Sequence, residues 1–159
     1  MAKCKKIIAL VIVFFFMACS GNLLAQKRKG GELSLSAVGV TVEELGLWII
    51  PGGMIGLGIN TTKAVGVELD GIIVISEGAG ALMSGNVVVS PFNLKEAIPY
   101  AIGGIWTTTA GGFGWNLGGG LKIKLNENLA IRAEYRRWAV FEEFRWCVNF
   151  ISCGLSLFF

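Results

Sequence analysis

Hydrophobic and polar side chains alternate with a period of two through much of this 159-residue chain. The pattern is clearest over residues 113–136, where one set of alternate positions is almost wholly apolar. The other set carries glycine, Lys122 and Lys124 before a turn, and Arg132 and Arg136 after it. A period of two is that of a β-strand, in which successive side chains point to opposite faces. The sequence therefore predicts a hairpin with one apolar face and one polar face.

Eight segments of this kind can be marked along the chain. They are rich in valine and isoleucine, and turn-forming residues separate them. Their lengths lie near the roughly nine to eleven residues that a tilted strand needs to cross a hydrocarbon layer, and an even number is typical of bacterial outer-membrane barrels. We therefore predict an all-β fold, an eight-stranded antiparallel up-and-down transmembrane β-barrel. The predicted strands cover residues 32–42, 52–60, 64–75, 80–91, 97–107, 112–125, 129–138 and 145–159.

The links between these segments form two alternating groups. In an up-and-down barrel with both termini at one end, every second link lies at that same end. Asparagine adopts the Asx-turn and left-handed conformations that tight reversals need, so the asparagine-containing links are predicted to be short turns at one end. The short turns are 60–63, 92–96 and 126–128, and the looser links are 43–51, 76–80, 108–111 and 139–144.

Eight ionised side chains share the inward parity of this pattern. The interior of an eight-stranded barrel is just wide enough for side chains to fill it, and buried charges persist only when they are paired and hydrogen-bonded. We interpret the eight as a structural network that plugs the lumen, and a proton or ion path is the alternative. The acids are Glu32, Glu68, Asp70 and Glu134, and the bases are Lys122, Lys124, Arg132 and Arg136.

A soluble sandwich or barrel, with the apolar face inward, is the main competing arrangement. Aromatic residues near the strand ends favour lipid outside instead, because membrane interfaces select two aromatic belts. The predicted belts contain Trp48, Trp106, Trp115, Trp138 and Trp146 near the looser links, and Phe92, Tyr100 and Phe159 near the short turns.

The beginning of the chain has the layout of a secretory signal. Three lysines within the first six residues precede an apolar run over 7–17 and then small or polar residues up to Ala25. The apolar run is too short to span a bilayer as a permanent helix. We predict a signal peptide over 1–25 and a barrel domain over 26–159, and processing at a lipidated Cys19 is the alternative.

Removal of the signal peptide leaves a neutral chain. The 14 basic residues fall to 11 against 11 acidic ones, so the net charge of +3 gives no reason to expect a nucleic-acid partner. Cys147 and Cys153 remain, and on one extended strand they would be roughly 20 Å apart, too far for a disulfide. Arg137 and Arg145 have outward parity near strand ends, from which they can reach lipid head groups.

The last strand ends in a further pattern. Apolar Leu155 and Leu157 alternate with Gly154 and Ser156, and the chain stops at Phe159. This ending resembles the sorting signal of bacterial outer-membrane proteins, which implies the barrel assembly machinery as a partner. The residues that match that signal are Ser152, Gly154, Leu157 and Phe159.

The stretches "PYAIGGIW" (99–106), "GGGLKIKLNENLAIRAEYRRW" (118–138) and "GLSLFF" (154–159) resemble the outer-membrane β-barrel domain family of small OmpA- and OmpX-like proteins. The resemblance covers the mature chain in layout but only about its last 60 residues in wording. It implies a closed barrel in a Gram-negative outer membrane, in contact with lipid and lipopolysaccharide, monomeric, with a structural, envelope-integrity or adhesive role. It transfers no catalytic residues.

The residue types also bear on chemistry. The chain contains no histidine, the commonest general base. Its glycine-rich stretches lack the spacing of a phosphate-binding loop. We therefore predict no enzyme activity, no cofactor and no metal site. Two alternatives stay open, a soluble secreted lipocalin-like barrel and a surface binding module whose loops carry Glu43, Glu44, Glu77, Glu142 and Glu143.

Overall fold

A computed structural model describes residues 30–42, 50–62, 64–75, 80–92, 94, 96–141 and 147–159. Eight strands make up nearly all of this part of the chain. They are β1 (Gly31–Val42), β2 (Ile50–Asn60), β3 (Val65–Val74), β4 (Gly80–Val89), β5 (Ala97–Thr108), β6 (Phe113–Lys124), β7 (Leu129–Val140) and β8 (Cys147–Phe158).

The strands form one closed barrel in which each strand pairs with its neighbours in the sequence. Closure comes from β1 and β8, which pair antiparallel from Glu32 opposite Phe158 to Val42 opposite Val148. Beyond that ladder, the main chains of Gly31 and Phe159 exchange two hydrogen bonds of 2.9 and 3.0 Å. All eight predicted strands are present with ends shifted by two residues or fewer, and the predicted fold class is confirmed.

Around the middle of the barrel, apolar side chains face outward and ionised side chains face inward. Leu121, Ile123 and Leu155 are exposed on the outer surface, whereas Lys122 and Arg132 are buried. A soluble lipocalin-like barrel would have the opposite arrangement, so that alternative is wrong. The same alternation holds in β3, where Leu69 is 69% exposed between the buried acids Glu68 and Asp70.

One end of the barrel carries the short turns, the start of β1 and the end of β8, and we call it the turn end. We call the opposite end the loop end. At the turn end, Asn126 forms the predicted Asx turn, its Oδ1 accepting hydrogen bonds from the main-chain N–H groups of Asn128 (2.8 Å) and Leu129 (2.9 Å). In the turn after β2 the equivalent acceptor is Thr62, whose hydroxyl receives the N–H of Val65 at 2.9 Å.

The link after β5 is tighter than the sequence indicated. Residues 108–111 were expected to form a looser link, but Thr108 N–H donates to the carbonyl of Gly112 at 2.9 Å and closes a compact reversal. Gly111 has a φ of +88°, which a residue with a side chain rarely adopts. The glycine that permits this backbone conformation therefore makes the short link possible.

Several predicted features lie outside the described residues. They include the signal peptide, Cys19, the acidic loop residues, Trp48, Trp146 and Arg145. Within the part of the chain that the structure describes, no helix is long and apolar enough to cross a membrane.

Placing arginine on the outer face provides a test of the lipid-facing surface. Leu69 is the fifth of ten residues in β3, so Leu69→Arg puts a charge near the middle of the hydrocarbon layer. We expect it to lower the free energy of unfolding from lipid vesicles by about 2–4 kcal/mol, as measured by urea titration. Ile59→Arg, next to the turn end of β2, is the matched control and should cost about 0–1 kcal/mol. Equal costs at both positions would contradict a membrane-embedded outer face.

Candidate functional site: the charged lumen

The centre of the lumen is an ion-paired cluster built by alternate residues of β7. Glu134 lies between Arg132 and Arg136 on the same strand face, because residues two apart in a strand point the same way. Arg132 Nη2 contacts Glu134 Oε2 at 2.5 Å, and Arg136 Nε donates to Glu134 Oε1. All three side chains are buried, and Arg132 is 0% exposed. One carboxylate thus binds two guanidinium groups inside the barrel.

Strand β3 supplies the carboxylates that the two arginines reach on the opposite side. Arg132 Nη1 lies 2.8 Å from Glu68 Oε1, and Arg136 Nη1 lies 2.5 Å from Asp70 Oδ2. These contacts run across the lumen, since β3 and β7 are not neighbours in the barrel. The long arginine side chains therefore tie opposite walls of the sheet together.

Neutral polar side chains extend the network. Tyr100 donates its hydroxyl to Glu134 Oε2 at 2.6 Å and accepts from Arg132 Nε at 2.9 Å. Asp70 Oδ2 accepts from Ser84 Oγ at 3.2 Å and from Asn86 Nδ2 at 2.9 Å, and Asn86 Oδ1 in turn accepts from Asn116 Nδ2 at 2.9 Å. Hydrogen bonds to the remaining lone pairs are what allow buried ions to be tolerated.

Towards the turn end, a second ion pair joins β6 to β1. Lys122 Nζ lies 2.5 and 2.6 Å from the two carboxylate oxygens of Glu32, and it sits 5.0 Å from the centre of the Tyr100 ring. A void of about 10 Å³ adjoins Glu32, Glu68 and Lys122, which is room for about one water molecule. The lumen is therefore closely filled at this level.

Lys124 does not join the network, contrary to the sequence interpretation. It is the last residue of β6 and is only partly buried, opposite Ala130 at the rim of the turn end. Its parity is inward as expected, but its position beyond Lys122 keeps it out of the ion pairs found in the described lumen. Seven of the eight predicted ionised residues are brought together, with four acids and three bases.

Glycine opposite the long side chains provides the space for them. A Cβ atom on Gly56 would lie 2.6 Å from Asp70 Oδ1 and 3.0 Å from Glu68 Oε1. A Cβ atom on Gly120 would lie 2.5 Å from the Tyr100 hydroxyl. All three distances are shorter than van der Waals contact, so a side chain at either inward position would displace the polar groups that now fill this space.

The loop end of the lumen is apolar, which the sequence analysis missed. Trp138 is 2% exposed, and its ring lies 4.5 Å from that of Phe150 and 5.5 Å from that of Trp106. We call this group the loop-end cluster. Its members are Val38, Val40, Met54, Ile72, Trp106, Trp138 and Phe150.

The predicted aromatic belts are therefore wrong at three positions. Trp106, Trp138 and Tyr100 were assigned to the outer surface by their closeness to strand ends, but all three have inward parity and are buried in the lumen. Proximity to a strand end does not decide which face a side chain occupies, whereas parity does. Phe92 and Phe159 do lie exposed near the turn end, and Phe113 stacks on Phe141 outside the loop end at 5.0 Å.

Parity applied to every strand would also have found the neutral members of the network. Ser84 and Asn86 lie on alternate positions of β4, as do Tyr100 and Trp106 on β5. The predicted lumen network contained only charged residues. The alternation in the sequence therefore already indicated that Tyr100, Ser84 and Asn86 face the lumen.

The four residues of the C-terminal pattern occupy both faces of β8. Ser152 is buried inside the barrel, and Leu157 and Phe159 are exposed outside. Gly154 approaches β1 closely, with its partner there being Ser36. Cys153 is a free thiol on the outer surface, as predicted, while the side chain of Cys147 lies outside the described residues.

In the part of the chain with described coordinates, no group of three or more metal-ligating side chains comes together. The carboxylates of the lumen are instead occupied by guanidinium, ammonium and hydroxyl partners. The arrangement is one of ion pairing, with three bases shared among four acids, and it leaves these acids engaged with protein groups.

Comparison with known proteins identifies the fold. No family model matches the chain, and no curated protein matches it either. Among solved structures, the N-terminal β-barrel domain of Pseudomonas aeruginosa OprF is similar with a TM-score of 0.65 and 17% identity, covering 84% of this chain and 100% of that one. Neisserial surface protein A is similar with a TM-score of 0.63 and 12% identity, covering 81% and 96%.

Two further similar structures have names that state different roles, attachment for one and enzyme activity for the other. Ail, the attachment invasion locus protein of Yersinia pestis, has a TM-score of 0.55 and 13% identity and covers 84% of this chain and 99% of that one. The outer-membrane enzyme PagL has a TM-score of 0.51 and 13% identity, covering 78% and 98%. At such identities the likeness shows the fold alone. The chain has the fold of small eight-stranded outer-membrane barrels.

Removing the central carboxylate tests the energetic role of the network. Glu134→Gln keeps the shape of the side chain but leaves Arg132 and Arg136 without their shared counter-charge. Each arginine keeps one carboxylate on β3, Glu68 or Asp70. We expect a loss of about 3–5 kcal/mol in the free energy of unfolding, because removing one partner of a buried ion pair leaves the remaining charges less well compensated. The charge reversal Glu134→Lys should lower the unfolding temperature further.

The control is Glu127→Gln in the exposed turn after β6, which should change stability by less than about 0.5 kcal/mol. A Glu134→Gln barrel as stable as the Glu127→Gln barrel would show that the network is not needed for stability.

Proposed function

We propose that this protein is an integral outer-membrane β-barrel with a plugged lumen that serves the integrity of the cell envelope. The observation that carries the proposal is the inverted distribution of side chains on a closed sheet, with an apolar exterior and an ionised interior. A closed barrel satisfies every strand edge, which is the condition for β-structure to span a hydrocarbon layer. The exposed Leu57, Leu69 and Ile73 match the outward apolar band of such barrels.

The side chains that fill the lumen favour a plug over a pore. Arginines from β7 reach carboxylates on β3 across the barrel, so the contacts occupy its axis. Above them the loop-end cluster fills the lumen with tryptophan and phenylalanine side chains. An ion entering from either end would meet a closed salt-bridge layer or an apolar layer, and neither offers a continuous aqueous path.

The route to the membrane is part of the same proposal. A signal peptide over residues 1–25 would export the chain, and the ending with Ser152, Gly154, Leu157 and Phe159 would present it to the barrel assembly machinery. In the folded barrel Phe159 is exposed on the outer surface next to Gly31. Outer-membrane lipid, including lipopolysaccharide, would surround a monomer.

The role in the envelope is proposed as structural or adhesive, and a surface binding module that uses the acidic loops is the alternative. Ail, a similar structure, is named an attachment protein, which supports surface adhesion as a role that this fold can carry. We propose no enzyme activity, although PagL shows that the fold is compatible with one. The chain has no histidine, and the lumen acids are engaged in ion pairs.

Membrane fractionation combined with a heat-modifiability gel tests the proposal directly. The expressed protein should appear in the outer-membrane fraction and migrate faster unheated than boiled, because a closed barrel keeps its compact form in detergent until heated. Recovery of the protein from the soluble periplasmic fraction without detergent would overturn the proposal.

Ion leakage from vesicles tests the plug. We expect the wild-type barrel to leave a salt gradient almost intact, and the double variant Trp138→Ala/Phe150→Ala to raise the leak modestly, because it removes one of the two layers that close the lumen. Trp115→Ala removes a tryptophan from the outer wall and serves as the control, with a leak like that of the wild type. A wild-type barrel that rapidly dissipates the salt gradient would mean that the lumen is open. Heat-modifiability of each variant establishes that it has folded.

A further inference from the structure

The outward positions of the eight strands are almost entirely apolar or glycine, with a few exceptions that are not scattered. Five outward side chains carry a hydroxyl, an amide or a charge within the described strands. Four of the five lie on the adjoining strands β7, β8 and β1, and the fifth lies at the loop end of β5. They are Thr41, Tyr135, Arg137, Asn149 and, on β5, Thr107.

Three of these residues form a row across the strand ladder. Arg137 of β7 is paired in register with Asn149 of β8, and Asn149 is paired with Thr41 of β1. Tyr135 lies two residues before Arg137 and donates its hydroxyl to Asn149 Oδ1 at 2.8 Å. These four residues form one connected polar patch, which we call the outer polar row.

The row lies on the loop-end half of the barrel. Thr41 is the eleventh of twelve residues in β1, and Asn149 is the third residue of β8. That depth corresponds to the boundary between acyl chains and head groups, where an outward arginine costs little only if its charge is solvated or paired. Burying this polar group in pure hydrocarbon would be unfavourable.

The chemistry of the row fits an anion. Arginine presents five N–H donors in a planar fork that matches phosphate oxygens, and it can serve one partner in the protein and another outside it. Arg137 does interact with another group of the protein. Within the described strands, Arg137 is the one ionised side chain at an outward position, and amide and hydroxyl groups lie around it.

The surroundings of the row fit acyl chains. In the neighbouring register positions, Leu117 of β6 lies beside Arg137, and Ile151 of β8 lies beside Tyr135. A ligand that places an anionic group on Arg137 would therefore lay its tails along an apolar wall. This combination distinguishes a lipid from a soluble phosphate compound.

We propose that the outer polar row is a head-group site for an anionic, phosphate-bearing lipid of the loop-end leaflet. Arg137 binds the phosphate, Asn149 and Thr41 hydrogen-bond to it or to its neighbouring polar groups, and Tyr135 holds Asn149 in position. The proposal rests on the membrane location proposed above and adds a defined lipid site to it.

Native mass spectrometry of the purified full barrel in neutral detergent tests the site with two probes, phosphatidylglycerol and phosphatidylcholine. We expect the wild-type barrel to retain phosphatidylglycerol preferentially and Arg137→Gln to lose about tenfold in its retention, the value of one charge-assisted hydrogen-bonded contact. Arg137→Lys, which keeps the charge without the planar fork, should retain an intermediate amount. Excess inorganic phosphate should not displace the lipid, because it lacks the tails.

Thr107→Val is the matched control, since it removes an outward polar group at the loop end of β5, outside the row. It should bind phosphatidylglycerol as the wild type does. Equal retention by wild-type and Arg137→Gln barrels would overturn the proposal, as would full displacement by inorganic phosphate. A wild-type dimer that Arg137→Gln abolishes would also overturn it, because the row would then be an interface between two copies.

Heat-modifiability separates the two proposals. An Arg137→Gln barrel that folds normally but binds less lipid supports the site. A wild-type chain that forms no heat-modifiable barrel would instead mean that the proposed membrane function has failed.

Discussion

The structure depends on the constraint that ions removed from water must find counter-ions. An eight-stranded barrel has no room for bulk water around its axis, and the desolvation of even one carboxylate or guanidinium costs several kcal/mol. Here Glu134 meets this constraint by binding Arg132 and Arg136 on its own strand, and both arginines then reach β3. The same contacts that neutralise the charges also cross the barrel, so electrostatic compensation and closure of the lumen are one arrangement.

In that arrangement, long inward side chains lie opposite inward glycines. Long side chains come from β6 and β7, while glycine at inward positions such as Gly56 and Gly120 leaves the space that they fill. The lumen is also divided along its axis, with ions in the middle and towards the turn end and the loop-end cluster above them. The apolar layer needs no counter-charges, and it shields the salt bridges from the loop-end solvent, where screening would weaken them.

A second constraint acts on the outer surface of the barrel. Its apolar side chains are stable only against lipid, so each outward polar group needs a reason to be there. Most of those groups gather in the outer polar row near the loop end, where Arg137, Asn149 and Thr41 share one line across three strands. The barrel is therefore not uniform around its circumference, and one sector of its wall differs chemically from the rest.

The sequence by itself determined the strands, their number and the face that each side chain occupies, because a period of two is a local property of extended backbone. It therefore indicated that Glu134, Arg132 and Asp70 point inward together. Only the tertiary structure decided which inward residues meet, since the stagger of strands in a closed barrel sets their relative heights. That stagger excludes Lys124 from the network, admits Tyr100 to it, and places Trp106 beside Trp138 inside the lumen. Partners on strands that are not neighbours, such as β3 and β7, depend on closure of the whole sheet, and no local pattern encodes them.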